Sequence, residues 1–217
     1  MGKYLLVCTL ACFVPAQANL MNNGSFETPA VPVGSFTSFP SGSVSIPGWT
    51  VVGGGGVAIV SGTFSQECCT FPAEDGAQWL DLTGDLSNSV EGVEQTVAST
   101  AGTNYTLSFW IGNIFDPTGI FGTTSAVNVI AGGTSLGTFT NGSTITGTQV
   151  WQKFTTSFTA TGSSTTIDFL NADSTNDNSN GLDNVVLTAD TIGVPDPGTL
   201  SLVGLGIIAI GIVRRRA

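Results

Sequence analysis

Carboxylates, indole rings and one adjacent pair of thiols are the side chains with chemistry to offer in this 217-residue sequence. Histidine is absent. That removes Ser-His-Asp and Cys-His nucleophile systems, His-ligated zinc and haem, and the commonest general base. Carboxylates alone can hydrolyse a glycosidic bond, provided a fold sets two of them at a defined separation. Nothing in the sequence singles out such a pair: Asp75 with Asp81, or Glu91 with Glu94, suit turns and solvent-facing positions equally well. Trp49, Trp79, Trp110 and Trp151 can stack on the apolar face of a pyranose ring or fill a core. Trp110 and Trp151 stand out as candidate ligand-binding residues, because each lies out of phase with the apolar majority of its segment. Cys8 and Cys12 fall in an apolar leader, so Cys68 and Cys69 are left, too few for a disulfide framework or a zinc site. A vicinal disulfide, an intermolecular bridge and two inert small side chains all remain open for that pair.

Charge narrows the partners. All fifteen acidic residues lie between Asn19 and Gly198, where Lys153 is the only base. A phosphate backbone needs Lys and Arg to displace its counterions, so no nucleic acid is expected as a partner.

The elements that must position these residues read as strands. Residues 1–18 have a basic start, an apolar run and an Ala16-Gln17-Ala18 site, the layout of a secretory signal peptide. Residues 19–190 form one domain, rich in Gly, Ser and Thr and without a helical period. Tyr105, Leu107, Phe109 and Ile111 alternate with Thr106, Ser108 and Trp110, a half-buried strand. Ala126 to Ile130, Leu136 to Phe139, Val150 to Phe158, Thr165 to Leu170 and Gly181 to Leu187 are further strands, about nine or ten in all. Pro29, Pro32, Pro40 and Pro47 predict a long exposed loop at a sheet edge. The Asx-rich run Asn171 to Asn184 lacks the glycine and terminal glutamate of an EF-hand and reads as turns. The fold expected is all-β, a two-sheet antiparallel sandwich.

At the C-terminus, residues 191–198 form a linker containing Pro195-Asp196-Pro197. Residues 199–217 form a short apolar segment ending in Arg214, Arg215 and Arg216. Its apolar run is shorter than the ~20 residues of an ordinary spanning helix, and the arginines are expected to stay cytoplasmic.

Five motifs in order resemble the galactose-binding-like jelly rolls. They are N-L-M-N-N-G-S-F-E at Asn19 to Glu27, I-P-G-W at Ile46 to Trp49, D-G-A-Q-W-L-D-L at Asp75 to Leu82, Y-T-L-S-F at Tyr105 to Phe109, and G-L-D-N-V-V-L at Gly181 to Leu187. The resemblance extends to bacterial choice-of-anchor exported proteins and to plant cell-wall proteins with domain of unknown function 642. It implies a structural calcium near paired termini, with Glu27 and Asp183 as ligands. The same two carboxylates could instead make turn and backbone hydrogen bonds. The tail resembles the PEP-CTERM signal, with Asp196 where that family usually has Glu. That implies an exosortase partner, transient membrane insertion and delivery to the surface or extracellular matrix of a Gram-negative, polysaccharide-making bacterium. The function implied is a non-catalytic, carbohydrate-binding-like module. A structural surface protein without ligand and a carboxylate-based polysaccharide hydrolase are the alternatives.

Overall fold

The computed structural model describes residues 17–84, 90–173 and 179–190. The leader before residue 17 and the tail from 191 onward, with Pro195, Asp196, Pro197 and the three arginines, lie outside the described residues. Among the described residues none is helical.

Eleven strands form two antiparallel sheets, as the alternating pattern predicts. One sheet orders β1 (Phe36–Pro40), β3 (Gly56–Ser61), β6 (Gln78–Asp81), β13 (Gly181–Ala189), β8 (Asn104–Asn113) and β11 (Val150–Thr159). The other orders β10 (Thr134–Asn141), β9 (Ser125–Ala131), β12 (Ser164–Asn171), β7 (Glu91–Ala98) and β2 (Thr50–Gly53). A small hairpin pairs β4 (Ser65–Gln66) with β5 (Cys69–Thr70). Because strand side chains alternate in facing, Leu107, Phe109 and Ile111 of β8 meet Ile167 and Phe169 of β12 and Val127 and Val129 of β9 between the sheets. Phe109 sits at the centre, 5.2 Å from Phe169 and 5.3 Å from Phe139 in edge-on geometry. Each such ring contributes about 1.5–3 kcal/mol by leaving water.

Two departures from the sequence reading have simple causes. The proline-rich stretch is not loop throughout, since Phe36–Pro40 forms an edge strand against β3. Pro40 is tolerated because it is the strand's last residue and the strand lies at an edge. The motif stretch Asn19 to Glu27 runs beside β13 without forming a regular strand. Leu20 donates its N–H to Leu187 O at 2.9 Å and Val185 donates to Gly24 O at 2.9 Å, while Asn23 and Phe26 adopt positive φ. Gly24 is required here, because a Cβ would sit 2.2 Å from Val185 O.

A second, smaller core lies outside the sandwich. The segment 62–77, which carries β4 and β5, folds over the outer side of β3 and β6. Ala58, Val60 and Trp79 from the sheet pack there with Cys69, Phe71, Ile114 and Phe121. Cys68 and Cys69 are joined as a vicinal disulfide, which settles the three options left by sequence. Phe71 O accepts the Trp79 Nε1–H at 3.1 Å, so the indole is both buried and satisfied.

Candidate functional site

The covering segment leaves the β8–β11 side of the outer face open. Trp110 lies there half-buried, in register with Lys153 of β11 on one side and Asp183 of β13 on the other. The Lys153 Nζ stands 6.0 Å from the Trp110 ring centroid, at the limit of a cation–π contact. Alternation adds Thr106 and Ser108 of β8 and Thr155 and Ser157 of β11 to the same face. The result is one aromatic ring set among rows of hydroxyl groups. Trp151 shares the facing of Trp110 but not its surroundings. Its Nε1 donates to Pro72 O at 2.9 Å, and its ring meets Trp79 edge-on at 5.9 Å, so it walls the second core. Sequence phase identified both as outward-facing and had no signal for the segment that packs against one of them.

Glu27 and Asp183 are brought to one loop, and they hold it by its backbone. Asp183 Oδ2 accepts from Glu74 N at 2.9 Å and Asp75 N at 3.0 Å, and its Oδ1 accepts from Asn184 N at 2.7 Å. Glu27 Oε1 accepts from Ala77 N at 2.8 Å and Gln78 N at 3.0 Å. The turn between them needs Gly76, whose φ is +71° and whose Cβ would lie 2.4 Å from Glu27 Oε1. Calcium takes six to eight oxygen ligands. The groups converging on Asp183 are N–H donors, which suit an anion, so this donor set does not fit the calcium site that Glu27 and Asp183 were expected to form. Among the described residues no three His, Cys, Asp or Glu side chains gather as a metal-holding group. Burial pushes the Asp183 carboxyl up to about 8, against the three backbone N–H bonds that pull it down.

The carboxylate pairs considered for hydrolysis are separated by the strands. Asp81 is buried, and its Oδ1 accepts from Thr83 N, Thr83 Oγ1 and Asn180 N at 3.0, 2.8 and 3.1 Å. Burial raises it to about 7. Glu91 turns inward and accepts from Gly56 N at 3.0 Å, whereas Glu94, three residues on, faces out. Glu94 finds a partner that spacing could not reveal: Asp168 of β12, directly opposite it in the five-stranded sheet. Burial first, then the Glu94 charge and a hydrogen bond with its carboxylate, raise Asp168 to about 6. The strand register, not spacing along the chain, makes these two carboxyls neighbours.

A family profile described as protein of unknown function (DUF642) matches residues 19–188. The chain belongs to this family. Among curated proteins none matches the sequence. The DUF642 domain is similar in fold to arabinose-bound MgGH51 α-L-arabinofuranosidase, with a TM-score of 0.51 and 13% identity. That match covers 81% of this chain and 27% of the arabinofuranosidase, so the chain spans about a quarter of the enzyme's length. The CBM22-1 xylan-binding domain of Paenibacillus barcinonensis Xyn10C matches at a TM-score of 0.43 and 17% identity, over 74% of this chain and 97% of that one. A CBM4 structure matches at 0.40 and 19%, over 78% and 99%. At 13% identity the arabinofuranosidase match shows a likeness of fold alone.

Proposed function

We propose that this DUF642 domain is a non-catalytic glycan-binding module displayed outside the cell, with Trp110 as its stacking platform. The observation that carries this reading is the half-buried Trp110 ring on the open strip of the outer face, flanked by Thr106, Ser108, Thr155 and Ser157. An indole face covers the apolar face of a sugar ring, and neighbouring hydroxyls exchange hydrogen bonds with its rim. The test is retention of the full chain on a panel of insoluble polysaccharides. Trp110→Ala should weaken retention about tenfold, equivalent to about 1.4 kcal/mol. Equal retention of both proteins, or none by either, would reject the platform. The latter result would leave a structural surface protein.

For delivery, we propose that Pro195-Asp196-Pro197 and Arg214, Arg215 and Arg216 act as a sorting signal. An exosortase would engage the tail during a transient membrane passage and release the domain to the cell surface or matrix of a Gram-negative bacterium. The short apolar run and its arginine stop support this reading. Intact mass of the exported protein is the check: a C-terminus still ending at Ala217 would refute processing.

A further inference from the structure

We propose that Lys153 and Trp110 together select an acidic glycan whose carboxylates are spaced along a neutral backbone, such as single uronate branches. This rests on the glycan-binding reading and names its ligand class. Lys153 is the only base among the described residues, and it is exposed beside the one half-buried indole of the open strip. The two strands that carry the pair, Asn104–Asn113 and Val150–Thr159, contain no acidic residue, although the chain has fifteen. The carboxylates nearest in the sheet are already engaged. Asp183, opposite Trp110, faces three backbone N–H groups, and Asp190 accepts the Thr106 hydroxyl at 2.8 Å. Lys153 is thereby the one ammonium beside the open indole in a strongly acidic domain. A sugar ring stacked on Trp110 would hold one carboxylate within reach of the ammonium. A contiguous polyuronate would place its further carboxylates where no second cation stands among the described residues, against a domain of strongly negative net charge, and would be repelled.

The experiment compares retention of the full chain by three polymers in affinity electrophoresis: a xylan with spaced glucuronate branches, the same polymer with its carboxyl groups reduced to alcohols, and polygalacturonate. The branched uronate polymer should retain the protein at least about tenfold better than either other polymer, a preference that shrinks as salt rises. Lys153→Met, which keeps an apolar stem over the ring, should make the native and reduced xylans equivalent, and Trp110→Ala should weaken both. Equal retention of native and reduced xylan by the unaltered protein would overturn the proposal, as would an undiminished preference in Lys153→Met or tighter binding to polygalacturonate. If no polymer retains the protein, the glycan-binding reading itself falls.

Discussion

Replacing Asp81 with Asn should make the domain more resistant to alkali while leaving it nearly unchanged in acid. All three protein hydrogen bonds to this side chain end on Oδ1, which an asparagine carbonyl can supply. What changes is the titration. A free aspartate side chain titrates at 3.8, and Asp81 stands at about 7 in the fold, raised first by burial and last by the Glu91 charge. The folded state therefore prefers the protonated form. Below about pH 4 both states are protonated, and the contribution to stability is fully present. Between pH 4 and 7 the unfolded chain ionises first, and stability falls until the folded carboxyl ionises too. Three units at about 1.4 kcal/mol each set an upper bound near ~4 kcal/mol, so about 2–4 kcal/mol is the expected gap between Asp81→Asn and the parent at pH 8. Urea unfolding at pH 4, 6 and 8 measures it. With a slope of about 2 kcal/mol per molar, the midpoints should separate by about 1–2 M at pH 8 and converge at pH 4. A gap that does not vary with pH would refute the reasoning, because a lost or gained packing contact has no proton to release.

Other perturbations follow from the same contacts. Asp183→Ala strands three backbone N–H groups around a buried site and should cost about 3–5 kcal/mol in chemical unfolding, with Glu27→Ala costing less because its carboxylate is exposed. Trp151→Ala should destabilise by about 3 kcal/mol, by opening the second core beneath segment 62–77, whereas Trp110→Ala should scarcely move the melting temperature. Glu94→Gln removes the charge opposite Asp168, and the Asp168 side-chain carbon signal should then titrate below the parent's pH of about 6; an unchanged or higher midpoint would show that burial alone sets it.

The alternation of Tyr105, Leu107, Phe109 and Ile111 made the main sandwich legible in the sequence, since a period of two buries one face whatever the partner. The same phase put Trp110 and Trp151 on the outer side correctly. It carried no trace of segment 62–77, whose Phe64, Phe71 and Cys69 follow no strand period and find their places in the second core with Trp79, Phe121 and Trp151. The Glu94–Asp168 pair was hidden for a related reason: each residue occupies an ordinary outward position in its own strand, and only the β7–β12 register makes them neighbours. Glu27 and Asp183 were noticed as a pair, but sequence does not say whether a carboxylate will face a cation or a row of amides.

The position of β13 bears on how the domain would carry load. It lies inside the six-stranded sheet, bonded to β6 on one side and β8 on the other, with the N-terminal segment held at its bulge. Anything that tugs on the chain beyond Asp190 therefore pulls an interior strand lengthwise, and to move it must break two ladders at once instead of unzipping an edge. Asp190 N is itself tied to Asn104 O at 2.8 Å, at the point where such a pull would enter the sheet. A domain built this way keeps its shape under a pull applied beyond Asp190, with the hydroxyl-lined strip still facing outward.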